Sequence, residues 1–398
     1  MKKRILLLSV FAFSVLALFF ISGCEKESQF NTTVNNDEAI AKEKLIEFIS
    51  EHNYAPRFGS GTVVNSTLKS GTISEQGNRL DLSTIPDYSY YQRLVEQAIN
   101  QDDYDCSPTY IDDYIKQSVD NWTSVDFLFY NYFGGIAFDY VYVFSNANGG
   151  QYYGSNGQFS NAINRTFNDL LRFWNIPTDI LIRDTHGLVY DDEIKVKAIL
   201  LLYGYSDDDA TYLSGLIKTV FGSSAFMNYK HPLLTFNAFA ADADPNFGTG
   251  KKIVMGDGIL EAYADLGFGD VAPQAILAHE YGHHVQFAKN VEFVSSPEGT
   301  RRVELMADAF AAYYLTHKRG ATMNWKRVQQ FLVVFYGLGD CSFNSNGHHG
   351  TPNQRIKAAT FGYKIANDAK LKGKILTSEE FIALFDAEFP NMIAPDAN

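Results

Sequence analysis

The segment "AHEYGHHVQ" (278–286) decides the fold prediction, because it places three histidines and a glutamate on one short stretch. On a helix, positions i and i+4 lie one turn apart on the same side, so His279 and His283 present two imidazoles that can bind one metal ion. Glu280 is offset by one residue, which suits a general base that holds a water beside the metal. His284 faces away from both imidazoles and is predicted to be non-ligating.

Coincidence is a weak explanation of this motif. Helix start signals at Asp270 and Pro273 predict a helix that reaches roughly Asn290. The chain has 9 histidines and 46 acidic residues, which gives about 0.02 chance occurrences of His-Glu-x-x-His. The alternative is a pair of surface histidines on an amphipathic helix. A third histidine ligand of the metzincin type is excluded, because Gln286 and Lys289 occupy the corresponding positions.

The next predicted helix supplies a candidate third ligand. The stretch "RRVELMADAFAAYY" (301–314) carries Glu304 with Asp308 one turn later. Unpaired carboxylates would be costly in so apolar a segment, so a buried role is favoured over a solvated face. If Glu304 binds the metal, Asp308 on the same face can accept a hydrogen bond from the non-ligating nitrogen of His279.

These motifs resemble those of the neutral zinc metallopeptidases, a gluzincin group with HExxHHxQ followed by ELxAD. The matching stretches are "HEYGHHVQ" (279–286), "ELMAD" (304–308) and "HHGTPNQRIKAATFGY" (348–363), and the resemblance covers about residues 230–365. It implies one Zn²⁺ per chain and a peptide or protein substrate. It also implies the metal ligands His279, His283 and Glu304, the catalytic base Glu280, and a supporting role for Asp308.

A downstream pair of histidines offers an oxyanion donor. Peptide hydrolysis needs a donor for the developing oxyanion in addition to the metal, and His349 holds the family's His-Gly position. We therefore assign the second catalytic role to His349; the alternative is that His348 and His349 are an ordinary surface pair. Arg355 could fill the same role, or could pair with a carboxylate.

Two short apolar runs precede the metal helix. "PLLTFNAFA" (232–240) and "KKIVMGDGILEA" (251–262) are separated by a Gly-, Asp- and Pro-rich loop and are predicted to contain strands. Residues 237–240 and 252–258 resemble the gluzincin hairpin that would bind a peptide as an added strand, although a core hairpin fits equally well. The predicted fold is α+β, with a small antiparallel sheet over the metal helix and a helical half that supplies Glu304.

Composition limits the class of protein. The chain has 398 residues, of which 46% are hydrophobic, so it can bury the core of one large domain or of two ordinary ones. Its 33 basic and 46 acidic residues give a formal charge of −13, which would repel nucleic acid and anionic lipid. Nucleic acid is therefore excluded as a partner.

The N-terminus has the pattern of an export signal. Basic residues precede an apolar run that ends in Ile-Ser-Gly-Cys (21–24), which resembles the bacterial lipobox. Residues 1–23 are predicted to be a lipoprotein signal peptide and Cys24 the lipidated residue; an uncleaved transmembrane anchor is the alternative. Lipid would tether the mature protein to a membrane of the bacterial cell envelope. Glu25 replaces the Asp that often marks inner-membrane retention, which favours the outer membrane.

The remaining chain divides by composition. Residues 24–86 are predicted to be a tether with one short helix at 38–51, residues 87–225 a mainly helical and aromatic region, and residues 226–398 the metallopeptidase core. In the middle region, helices are predicted at 159–174 and 207–221. The stretch "FDYVYVFSNANGGQYYGSNGQF" (138–159) predicts strands and a turn-rich loop rather than a sugar-binding surface. Export would allow Cys106 and Cys341 to form a disulfide.

The function that these expectations favour is a zinc-dependent endopeptidase, anchored outside the cytoplasm. Two alternatives stay open. The first is a zinc-binding pseudoprotease, which would keep the same ligands without catalysis. The second is a surface lipoprotein that binds glycan or protein through the Tyr-, Asn- and Gly-rich stretch, in which the HExxH motif would be incidental.

Overall fold

The computed structural model describes residues 36–52, 104–146, 150–294, 296–339, 348–368 and 373–396. The predicted signal peptide (1–23), Cys24, most of the predicted tether and Cys341 lie outside the described residues. Within the described ranges, no helix is long and apolar enough to cross a membrane.

The described chain is mostly helical and contains one small sheet. In chain order, the helices are α1 (Asn36–His52), α2 (Tyr110–Ser118), α3 (Ser124–Phe133), α4 (Ile136–Phe144), α5 (Ser160–Phe173), α6 (Glu193–Leu202), α7 (Asp207–Phe221), α8 (Asp257–Asp265), α9 (Ala272–Lys289), α10 (Pro297–Thr316), α11 (Trp325–Gly337), α12 (Pro352–Asn367) and α13 (Ser378–Met392). The strands are β1 (Leu181–Thr185), β2 (Ala238–Ala241) and β3 (Lys252–Gly256). The α+β class is therefore confirmed.

The sheet is mixed, in the order β1-β3-β2. The predicted hairpin is present as an antiparallel pair, in which Ala238 lies opposite Met255. The expectation of a purely antiparallel sheet was wrong, because β1 pairs with β3 in parallel, with Leu181 opposite Lys252. Parallel neighbours need a long crossover, and the helices α6 and α7 lie in that connection.

The aromatic stretch after residue 135 forms a helix, so the strand prediction for its first part was wrong. Most of α4 is buried, and α4 packs between the sheet and α6. In a segment buried on nearly all sides, the apolar residues repeat with neither the period of a helix nor that of a strand. The prediction then depends on β-branched and aromatic residues, which favour strands, and it was wrong for that reason. Similarly, the second apolar run is a strand only to Gly256 and continues as α8. The helices predicted at 159–174 and 207–221 are confirmed as α5 and α7.

Residues on both sides of position 225 contribute to one hydrophobic core. The Phe167 ring of α5 lies 6.3 Å from that of Tyr281 on α9. The Trp174 ring lies 5.0 Å from that of Phe310 on α10. The helices that carry the candidate site are therefore packed from both sides.

The helix α10 lies at the centre of this packing, and small residues bring its neighbours close. A Cβ at Gly282 of α9 would lie 3.1 Å from the Cα of Ala307, and a Cβ at Gly362 of α12 would lie 2.2 Å from the backbone oxygen of Ala309. The contact at Gly362 leaves no room for a larger side chain, and a Cβ at Gly282 would require the backbone of α10 to shift by a few tenths of an ångström. The two glycines thus allow α9 and α12 to approach α10 at the level of its carboxylates.

Candidate metal centre

The helices α9 and α10 bring His279, His283 and Glu304 together. One ligand atom from each residue lies within 4.8 Å of the others. The Nε2 atoms of the two histidines are 3.2 Å apart. Glu304 Oε2 lies 3.2 Å from Nε2 of His279, and Glu304 Oε1 lies 3.5 Å from Nε2 of His283. All three residues are 4% exposed or less, so their nitrogens and oxygens converge on one buried point.

Hydrogen bonds orient both imidazoles. His279 Nδ1 lies 2.8 Å from Oδ1 of Asp308, and an ionised carboxylate can only accept, so Nδ1 carries the proton. His283 Nδ1 lies 3.0 Å from Oε1 of Gln286, whose amide nitrogen donates to the backbone oxygen of Val303 over 2.7 Å. That second bond assigns the amide orientation, so His283 Nδ1 is also the donor. Each Nε2 is left to face the common point.

The residues present fit a divalent metal ion. One proton can bridge only one of the contacts between the two Nε2 atoms and the carboxylate, whereas one cation can be bound by all three ligands. Two imidazole nitrogens and a carboxylate oxygen are a donor set that suits zinc and leaves a coordination position open. In the described residues, no other group of three or more such side chains has this geometry.

The pKa values of His279, His283 and Glu304 are shifted by burial and by their neighbours. Burial alone would lower the pKa of His279, but hydrogen bonds to Asp308 and Glu304 raise it to about 10. Burial lowers the pKa of His283 to about 4. Burial alone would raise the pKa of Glu304, but the nearby histidines, His283 and His349 foremost, hold it well below its ordinary value. The two carboxylates therefore favour positive charge on His279, whereas His283 stays neutral.

Asp308 also binds Arg355, which comes from α12. Arg355 Nε donates to Asp308 Oδ2 over 2.8 Å, and Nη2 donates to Asp308 Oδ1 over 2.7 Å. Nη1 donates to the backbone oxygen of Leu338 over 3.1 Å. Both side chains of this pair are fully buried. Of the two roles considered for Arg355, the structure shows the pairing with a carboxylate.

Glu280 lies near His279 and Glu304 and is 3% exposed. A small recess next to its carboxylate is lined by the apolar side chains of Ala238, Ile259, Ile276 and Leu338. Burial raises the pKa of Glu280 to about 7. A carboxylate with a pKa near neutrality can both accept and return a proton under physiological conditions.

The predicted oxyanion donor, His349, lies near Glu304. His349 is 6% exposed, and its charge contributes to the lowered pKa of Glu304. The residue after it, Gly350, has a φ of 105°, a left-handed conformation that favours glycine. Thr351 then forms the capping box of α12. His349 is thus held between a tight turn and a helix start, close to the metal ligands.

His284 packs against the sheet instead of the metal ligands. Its Nε2 lies 2.9 Å from the backbone oxygen of Lys252. Burial lowers the pKa of His284 to about 3, so the ring is neutral and this nitrogen is the donor. The bond ties the metal helix α9 to β3.

Sequence reasoning missed two residues that contribute to the geometry of the site. Gln286 was used only to exclude a metzincin ligand, yet it orients His283; its position three residues later on the same helix face was the available indication. Gly282 received no role, although it sets the distance between the two ligand-bearing helices. Its closest neighbour, Ala307, is distant in the sequence, so no local pattern marks it.

Cys106 is disulfide-bonded, and its predicted partner Cys341 lies outside the described residues.

A second histidine centre, which sequence reasoning also missed, lies at the ends of the parallel strands. His186 Nε2 lies 3.1 Å from Asp184 Oδ2, and Nδ1 contacts Asp257 Oδ2. The Tyr152 ring stacks on the imidazole at 4.0 Å, and the Tyr152 backbone nitrogen donates to Asp184 over 2.6 Å. Burial alone would lower the pKa of His186, but the two carboxylates raise it to about 9. The centre attaches the loop that contains Tyr152 to the sheet.

Comparisons with protein-family models, with curated proteins and with solved structures found no match to this chain.

Proposed function

We propose that this chain is a zinc-dependent metallopeptidase related to the gluzincins. The observation that carries the proposal is the convergence of His279, His283 and Glu304 on one buried point, with Glu280 beside it. Zn²⁺ is the ion that this donor set suits, with one ion per chain. The similarity of the motifs to those of the neutral zinc metallopeptidases supports the same assignment.

The chain's own residues supply the other parts of the mechanism. When bound, a zinc ion would supply Lewis acidity that polarises the scissile carbonyl and acidifies a water. Glu280, with its pKa near 7, accepts the proton of the attacking water and returns it to the leaving nitrogen. His349 donates a hydrogen bond to the developing oxyanion. Asp308 and Gln286 keep the two imidazoles in the ligating orientation.

The proposed substrate is a peptide or protein segment in extended conformation. The strand β2 is at the edge of the described sheet, so one side of its backbone has no strand partner there. An extended peptide can pair with such an edge by main-chain hydrogen bonds. The backbone of Ala240 in β2 also hydrogen-bonds Glu280, so a paired peptide would lie beside the proposed base.

The test is the variant Glu280→Gln compared with the parent and with Glu298→Gln, a control at the start of α10. Metal content should stay near one zinc per chain in all three proteins. Cleavage of a mixed peptide library should persist in the parent and the control, and should fall by at least about a hundredfold in Glu280→Gln. Equal cleavage by Glu280→Gln and the parent would refute the mechanism. Bound zinc without any Glu280-dependent cleavage would favour the pseudoprotease, and absence of metal would favour the binding lipoprotein.

We also propose that Cys24 anchors the mature protein by lipid in the bacterial cell envelope, on the outer membrane. The lipobox-like sequence before Cys24 supports this proposal. The variant Cys24→Ser should lose the lipid-dependent increase in the mass of the mature N-terminal peptide. It should also leave the membrane fraction, whereas an uncleaved anchor would keep it there.

A further inference from the structure

The proposed peptide-binding edge is closed in this structure. The four residues of β2 are between 0% and 3% exposed. Glu280 is 3% exposed and His349 6%, and the recess beside Glu280 is too small for a substrate side chain to enter without movement. A peptide therefore needs part of the chain to move before it can pair with β2 or reach Glu280.

The element over the metal ligands is the C-terminal end of α11. The Phe335 ring lies 6.3 Å from the His279 ring, and Leu338, just after the helix, lines the recess next to Glu280. Arg355 reaches the same place through its bond to the backbone oxygen of Leu338. The end of α11 thus forms one wall of the site, beside His279.

An upstream segment, residues 104–110, holds this wall in place; we call it the strap. The Tyr110 hydroxyl donates to the backbone oxygen of Val333 over 2.6 Å, and the Thr109 hydroxyl donates to that of Gly337 over 3.2 Å. The Tyr110 ring packs directly on Gly337, because a Cβ there would lie 2.3 Å from its hydroxyl oxygen. The last turn of α11 is thus bonded to the strap at two carbonyls.

The other end of the strap is bonded to the C-terminal residues. The Tyr104 hydroxyl donates to the backbone oxygen of Ile393 over 2.9 Å, and the backbone nitrogen of Asp105 donates to Asp396 over 3.2 Å. Cys106 within the strap is disulfide-bonded. The strap therefore lies across the C-terminal residues and the end of α11, and its contacts oppose any outward movement of α11.

We propose that the strap is an autoinhibitory latch: it keeps the end of α11 over the metal site, and release of the strap opens the site to peptides. The inference rests on the proposed peptidase function for its consequence, but the closure itself is a property of the fold. A hydroxyl-to-carbonyl bond of this kind shifts a local opening equilibrium by about two- to tenfold. Loss of the Tyr110 bond should therefore raise activity, which is the opposite of an ordinary structural defect.

The test compares the full-length parent with Tyr110→Phe, which removes the hydroxyl that binds Val333 and also contacts Tyr263. The matched control is Tyr114→Phe, also on α2, whose hydroxyl binds Asp265 and not α11. Gly337→Ala is a second variant that pushes the Tyr110 ring away from the helix. Amide hydrogen exchange of α11 and β2, followed by mass spectrometry, measures opening. The kcat/KM for a peptide substrate measures access.

The proposal expects α11 exchange and kcat/KM to rise by about two- to tenfold in Tyr110→Phe and Gly337→Ala, with no change in Tyr114→Phe. Unchanged α11 exchange in Tyr110→Phe overturns the latch, whatever the activity. If the parent cleaves the peptide, faster exchange with unchanged or lower kcat/KM overturns the latch as well, because the wall would then not limit access. A third outcome is that the zinc-loaded parent and both variants lack peptidase activity, while α11 exchanges faster in the variants than in the parent. That outcome keeps the latch and refutes the proposed function instead.

Discussion

Two histidine–carboxylate centres in this molecule differ in what they can bind. At His186, the two carboxylates of Asp184 and Asp257 lie at different ring nitrogens. Ring nitrogens point in diverging directions, so one proton at each satisfies the whole group. At His279, a second imidazole, that of His283, points its Nε2 at the same place as Glu304. The His186 centre is an ion-pair cluster with Asp184 and Asp257, which we call the clamp. The His279 centre is a set of side chains whose metal-binding atoms converge on one point.

The difference shows that a histidine between acids is not by itself a metal site. Both His186 and His279 have raised pKa values, of about 9 and about 10, so the pKa shift alone does not separate them. The distinguishing feature is His283, which Gln286 orients through Nδ1 and which burial keeps uncharged, so that its Nε2 carries a lone pair. A metal ion can bind the lone pair of the His283 Nε2 atom, which carries no proton of its own.

The largest expected effect comes from removing the converging imidazole. In His283→Ala, zinc should fall from about one per chain to nearly none, because two ligands alone do not hold a catalytic zinc site together. His186→Ala is the matched control and should keep its zinc. Metal analysis of both purified variants checks this. Equal loss from the two would show that the contrast between the centres does not govern metal binding.

The next effect comes from the orienting acceptor. Asp308→Asn should weaken zinc affinity by about 10- to 100-fold, because Nδ1 of His279 loses an ionised acceptor. The same change leaves the buried Arg355 without its counter-charge, which should cost about 3–5 kcal/mol of unfolding free energy. Competition with a chelator and chemical denaturation measure the two. Asp257→Asn, at the other centre, should leave zinc affinity unchanged; a comparable loss there would contradict the prediction.

The smallest effect is the pH dependence of the clamp. The pKa of His186 is higher in the folded chain, about 9, than the ordinary value of 6.5. Its stabilisation is therefore fully present below about pH 6.5 and is lost as the pH rises through about 9, and it amounts to at most about 3 kcal/mol. The measurement is the difference in thermal stability between the parent and His186→Gln. That difference should shrink toward zero above about pH 9, and a constant difference would show that charge is not involved.

The parts that could be predicted from sequence depend on short spacings along helices. The i, i+4 rule places His279 beside His283 and Glu304 beside Asp308, and each pair lies on one helix, α9 or α10. The helices α5 and α7 were also predictable, because each has one exposed face and therefore an amphipathic pattern. The antiparallel pair of β2 and β3 followed from two runs of apolar residues on either side of a turn-rich loop.

Fully buried segments were less predictable. The helix α4 was predicted as a strand because burial on nearly all sides removes the periodic pattern. The strand β1 was not predicted, since its partner β3 lies about 70 residues further along the chain and parallel pairing leaves no local signature. The pairing of Arg355 with Asp308 stayed open for the same reason, because α10 and α12 meet only after folding.

By itself, the sequence determined which residues can act together within one helix turn, and therefore the candidate ligands and the candidate base. Only the tertiary structure decided that His283 and Glu304 share one buried point, that Arg355 neutralises Asp308, and that Phe335 of α11 packs near His279. The physical reason is the distance along the chain over which each property is set. Spacing along a helix is a local property, whereas convergence, burial and closure depend on how separate helices pack.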